Sequence, residues 1–232
     1  MRPGFLAATA CIAVAGCEPL VAGLDLRRCK PAPGTTGTPS TIAEAVELAN
    51  GLPFPVTAEC FVEALDRPLA IAPTASTSSA QPAAGRRSPR VLIWPTDDFI
   101  VTVALDGAGR NLIEFGQFVA EDRSIKGELE FPLAEPATTA QALQRVRNPE
   151  YPNITTCFVC HDDERDEPSV PGGRSSEALR PFERTLVDLQ DLPRLRDECD
   201  WTAEPDRCRY LHALVDPGPL TARPFDPTWS RL

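Results

Sequence analysis

Between Arg90 and Phe131 the chain alternates short apolar runs with turn residues, and this spacing restricts the fold more than any other feature of it. The runs Arg90–Trp94, Phe99–Leu105, Leu112–Phe115 and Ser124–Phe131 are too short for helices with a buried stripe, and β-branched and aromatic residues fill them. In the last run Ile125, Leu129 and Phe131 alternate with Lys126, Glu128 and Glu130, the pattern of a strand with one wet face. Asp106-Gly-Ala-Gly109 reads as a turn. Residues 41–133 are therefore expected to form a mainly antiparallel β domain, a sandwich or open barrel, with 73–89 as an exposed Ser/Ala/Gly/Pro-rich loop.

Helical patterns flank these strands. Thr41 and Glu44 have capping-box spacing and open a helix through Asn50, which Gly51 and Pro53 end. After the strands, 134–147, 175–198 (with breaks at Pro181 and Pro193) and 206–215 carry helical patterns, and from Pro217 repeated prolines predict an extended tail. The expected class is α+β, with an antiparallel β domain followed by a small α-rich region over 134–232.

The N-terminus reads as an export signal. Arg2 precedes the apolar run Phe5–Ala15, which is too short to span a bilayer as a mature helix, and small residues follow. Val14-Ala-Gly-Cys17 resembles the lipobox of bacterial lipoproteins. That resemblance implies cleavage after residue 16 and lipidation of Cys17; ordinary cleavage after Ala15 is the alternative and leaves Cys17 free. Residues 17–40, rich in Pro, Gly and Thr, form the expected spacer between anchor and fold. The expected location is the bacterial cell envelope, with a soluble body tethered to the membrane by lipid.

Cysteine arithmetic agrees with export. Of eight cysteines, Cys11 leaves with the signal and Cys17 carries lipid, so six remain. They fall into three local groups: Cys29 with Cys60, Cys157 with Cys160, and Cys199 with Cys208. The outer two groups are expected disulfides, although sequence alone does not determine connectivity. The net charge of −10 argues against a nucleic-acid partner. No Gly-x-Ser-x-Gly elbow or P-loop is present, and with two histidines a Ser-His-Asp arrangement would depend on His212. An electron-transfer or binding protein fits this composition better than an independent enzyme.

Cys157-Phe-Val-Cys160-His161 has the C-x-x-C-H spacing of covalent haem attachment. Two thiols three positions apart can each add to a haem vinyl group, which places the adjoining imidazole at the iron. A redox or structural disulfide, or half of a zinc site, uses the same residue types, but no second C-x-x-C or H-x₃₋₅-H partner accompanies this one. Residues 151–215 resemble a small c-type cytochrome in having this motif followed by helical patterns within an exported chain. The resemblance implies haem c bound through Cys157 and Cys160, with His161 as proximal iron ligand. The chain departs from the usual pattern because Met1 is its only methionine, so no thioether remains to be the sixth ligand. The iron is then either bis-histidine through His212 or five-coordinate with an open face. Tyr151, Phe158, Trp201 and Tyr210 are candidate walls for the macrocycle. The acidic run 162–167 would steer a basic redox protein partner, or it is simply a solvated loop.

These expectations amount to a lipid-anchored monohaem protein for electron transfer or for redox or ligand sensing. The alternative is a non-redox envelope lipoprotein whose β domain binds a protein or a polysaccharide, with the C-x-x-C motif as a structural disulfide.

Overall fold

A computed structural model describes residues 27–231. The expected signal peptide and Cys17 lie outside the described residues.

The alternation read from the sequence becomes a five-strand antiparallel meander: β1 (Leu69–Thr74), β2 (Arg90–Thr96), β3 (Phe99–Ala104), β4 (Leu112–Ala120) and β5 (Arg123–Glu130). Three later segments extend it. β7 (Arg174–Glu177) pairs with β5, β6 (Arg165–Asp166) pairs with β7, and β9 (Leu220–Ala222) runs parallel to β1. The result is one eight-stranded sheet, ordered β6-β7-β5-β4-β3-β2-β1-β9. A separate short parallel pair joins β8 (Leu179–Arg180) to β10 (Ser230–Arg231).

Register sorts the side chains into two faces. Ile71, Ile93, Val101, Phe115 and Gly127 lie opposite one another across five strands and form a rib on one face. All five α-helices among the described residues contribute to the core on that face: α1 (Ile42–Asn50), α2 (Ala58–Ala64), α3 (Thr139–Arg145), α4 (Asp191–Asp197) and α5 (Pro205–Val215). Layering helices on one face of an antiparallel sheet is the standard α+β solution to burying an alternating strand set. Phe61 of α2 packs its ring 6.0 Å from Phe115 and 5.9 Å from Phe131, and each such burial contributes about 1.5–3 kcal/mol. At Gly127 an added Cβ would stand 3.1 Å from Ile42 Cδ1, so the missing side chain lets α1 lie close on the sheet. Thr41, Thr57 and Thr138 cap α1, α2 and α3, each accepting a backbone N–H three residues on.

Cys29 bonds to Cys60 of α2, and Cys199 bonds to Cys208 of α5, with Cα separations of 5.3 and 5.6 Å. Both expected pairings are present.

Four expectations need correction. The sandwich or open barrel is not what the strands show: the meander belongs to one eight-stranded sheet, which later strands extend at both ends, with only the short β8–β10 pair apart from it. Residues 174–180 are strands rather than helix: the Arg174–Glu177 backbone completes its hydrogen bonds against Arg123–Ile125. The segment after 134 is therefore not a separate α-rich unit, since it shares the sheet. The stretch that reads as mainly β also contains α2, whose Ala58, Phe61 and Val62, with Leu65 just beyond its end, recur at helical spacing and are buried.

Candidate functional site

The second face of the sheet is built differently. Ala72, Leu92, Thr102, Glu114 and Glu128 form one rib across it, with Ile100, Gly116 and Lys126 forming the next. Among the described residues no α-helix covers this face. The motif segment lies over it instead, and between the two is a cavity of about 420 Å³, within the size range of small-ligand sites. Leu92, Ile100, Gly116 and Lys126 line the sheet wall, and Cys157, Cys160 and His161 line the motif wall. Trp229 lines it as well, stacked on Phe118 at 5.2 Å and donating its indole N–H to the Glu121 carbonyl at 3.0 Å.

A network around one buried carboxylate holds the motif turn. Residues Thr156–Val159 form a single 3₁₀ turn whose cap is Thr155, a buried residue. The Thr155 hydroxyl oxygen accepts the Cys157 N–H at 3.1 Å, and its own O–H goes to Glu164. The second Glu164 oxygen accepts the Thr155 N–H at 2.8 Å and faces Arg174 Nε at 3.4 Å. The Glu164 side chain is 2% exposed. Part of the acidic run is thus internal structure. Asp163 pairs with Arg123 and Arg165, and Asp166 pairs with Arg174.

His161 is oriented by its ring nitrogen. Nδ1 lies 2.7 Å from the Glu177 carbonyl oxygen, which can only accept, so Nδ1 carries the proton and Nε2 keeps its lone pair. Burial, with the Lys126 charge adding to it, pushes the imidazole pKa down to about 3, so the ring is neutral at physiological pH. A neutral imidazole with one nitrogen tied to a backbone carbonyl is the usual form of a metal-ligating histidine.

The thiols differ from the other cysteines. Cys157 and Cys160 are unpaired, whereas the remaining described cysteines are bonded. Burial, reinforced by Glu114, pushes the Cys157 thiol up to about 11. A redox C-x-x-C needs a depressed thiol pKa, so this environment suits a protonated thiol held for another use. Among the described residues no group of three or more His, Cys, Asp or Glu side chains could hold a metal ion.

Lys126 projects from β5 at the sheet wall, its ammonium 2.5 Å from Ser124 Oγ. Burial lowers its pKa to about 8 against the opposing fields of Cys157, Glu114 and Glu164. Arg90, also in the wall, pairs with Glu114, while its Nε is buried with no hydrogen-bond partner. Such an unsatisfied donor beside a cavity suits a ligand carrying an anionic group.

His212 is elsewhere. It sits on α5, whose Tyr210, Leu211 and Leu214 pack into the core on the opposite face of the sheet. Its Nδ1 is 2.7 Å from Asp216 Oδ2, and its ring is 5.1 Å from that of Trp201. The structure does not bring His212 to the motif, because the sheet lies between them. Tyr210 is buried on the same side as His212, with its hydroxyl on the Arg110 carbonyl, and Trp201 accompanies His212, so neither walls the cavity. Tyr151 and Phe158 are exposed near the motif. Sequence reasoning missed Trp229 and Arg90, and took Glu164 only as part of the acidic run; Arg90 carried a signal, as a charge at the start of an otherwise apolar strand.

Among the described residues no helix is long and apolar enough to cross a membrane. Comparison with family models, curated proteins and solved structures returns no match to this chain.

Proposed function

We propose that this chain is a lipid-anchored monohaem c-type protein of the cell envelope, carrying electrons or sensing redox state or small ligands. One observation carries the reading: Cys157, Cys160 and His161 line the same cavity, the thiols unpaired and His161 turned by the Glu177 carbonyl so that Nε2 is the available donor. Cys157 and Cys160 would hold haem c by thioether bonds, His161 would hold its iron, and Arg90, with its unsatisfied Nε, would meet a propionate. Bound there, haem supplies reversible one-electron chemistry.

The chain's own residues then have distinct tasks. Glu164 and Thr155 keep the motif turn in shape, Glu177 orients the imidazole, and the apolar wall of Leu92, Ile100 and Trp229 excludes water from the macrocycle. Phe158 and Val159, the latter 86% exposed, lie between the attachment cysteines and offer an apolar contact for a redox protein partner. Cys17 would supply the membrane anchor.

The test is a reduced-minus-oxidised spectrum with a denaturing-gel haem stain, on protein exported in a strain that matures c-type cytochromes. Covalent haem that disappears in Cys157→Ala/Cys160→Ala is expected. Colourless but folded protein would instead favour a non-redox envelope lipoprotein with a protein- or polysaccharide-binding β domain.

A further inference from the structure

A haem held by His161 has a second axial position, and the usual donors for it are missing. The only methionine is Met1, in the expected signal peptide, and His212 is bonded to Asp216 on the far side of the sheet. A six-coordinate iron would therefore have to draw its donor from the cavity wall itself, the alternative being the open face of a five-coordinate iron.

The wall offers few candidates. Arginine has no lone pair to give, and hydroxyls are weak ligands to haem iron. The carboxylates Glu114 and Glu128 are already paired, with Arg90 and Arg145. Lys126, one of two lysines in the chain, is the remaining nitrogen donor there. Its position is favourable as well as its chemistry. β5 supplies Lys126 and the motif turn supplies His161 to the same cavity, and Gly116, the neighbour of Lys126 on β4, leaves space beside it. Ser124, two residues back on the same strand face, anchors the amine at 2.5 Å.

We propose that Lys126 supplies the sixth iron ligand, giving a histidine–lysine haem. This rests on the haem reading above, and the two can fail separately. A site so ligated is closed to small molecules at rest, which favours electron transfer over ligand binding unless Lys126 is displaced.

The experiment uses the full chain matured with haem, read by electron paramagnetic resonance and optical spectra, in the wild type and in Lys126→Ala, Lys126→Arg and Lys126→Met. The expected wild type is low-spin. Lys126→Arg keeps the positive charge but cannot coordinate, so it should lose the low-spin signal as completely as Lys126→Ala, and both should then bind added imidazole. Lys126→Met should recover a low-spin spectrum of different form. A high-spin wild type, or a low-spin spectrum unchanged in Lys126→Arg, overturns the assignment while leaving haem attachment in place. Colourless wild-type protein removes the haem reading itself, and the ligand proposal with it. Should Lys126→Ala not fold, Lys126→Arg and Lys126→Met decide the matter.

Discussion

The two faces of the eight-stranded sheet receive the same alternating strands and treat them in opposite ways. On one face Ile71, Ile93, Val101 and Phe115 disappear beneath five helices. On the other, Leu92, Thr102, Glu114 and Lys126 border a cavity covered by a motif turn and a C-terminal tail. The first face has the close packing that stabilises a fold. The second keeps charged groups and open volume where a stability-driven sequence would place more apolar side chains, and such local departures tend to mark functional sites.

The sharpest way to break this contrast is truncation on each face. Phe115→Ala removes a buried ring stacked on Phe99 at 5.8 Å, and a loss of about 3–5 kcal/mol is expected in denaturant unfolding. Leu92→Ala borders space that is already empty and should cost less than half as much, at about 1–2 kcal/mol. Equal losses would mean that the cavity face is packed as tightly as the other.

Glu164 tests whether the motif turn depends on its buried clamp. Glu164→Ala frees the Thr155 amide and hydroxyl and leaves Arg174 with Asp166 and the residue-164 backbone carbonyl, so a loss of about 2–3 kcal/mol is expected. Amide exchange at Cys157 should quicken more than exchange in β3. Uniform quickening would show that the turn has no stability of its own to lose.

The smallest effect concerns pH in the haem-free chain. Lys126 has a folded pKa of about 8 against the ordinary lysine value of 10.5, so between these values the unfolded chain binds more protons. Its contribution is therefore unfavourable below pH 8, and stability rises as pH increases from 8 to 10.5. Allowing for its partial exposure, the rise is about 1–2 kcal/mol. Lys126→Met should lack this rise; identical pH profiles for the two proteins would place the amine in water.

How much of this was legible in the sequence follows the range of the interactions. The meander was readable because period-two alternation is local, and β2, β3 and β5 start within a residue of the expected runs. The disulfides were readable because Cys199 and Cys208 are close in sequence and Cys29 and Cys60 were the remaining outer pair. β7 and β8 were not, because Arg-Ser-Ser-Glu has no strand signature and becomes one only by pairing with β5. At the site, Cys157, Cys160 and His161 announced themselves by spacing. The cavity did not, because its wall is drawn from β2 to β5 and from the last residues of the chain, whose approach is a property of topology. His212 was the natural second ligand by elimination. The side of the sheet to which α5 would dock was invisible in a linear pattern.

That same sheet also separates the cysteines. Cys29, Cys60 and Cys199 pack against the helical core, bonded within that layer, while Cys157 and Cys160 stand on the other side. Once the strands are paired, no thiol of one set can reach a sulfur of the other, so exchange between them is confined to the chain before it folds. In an oxidising compartment the order of events at birth therefore matters: a chain that assembles its sheet early sorts its sulfurs by geometry, and one that lingers unfolded leaves all six to pair by chance.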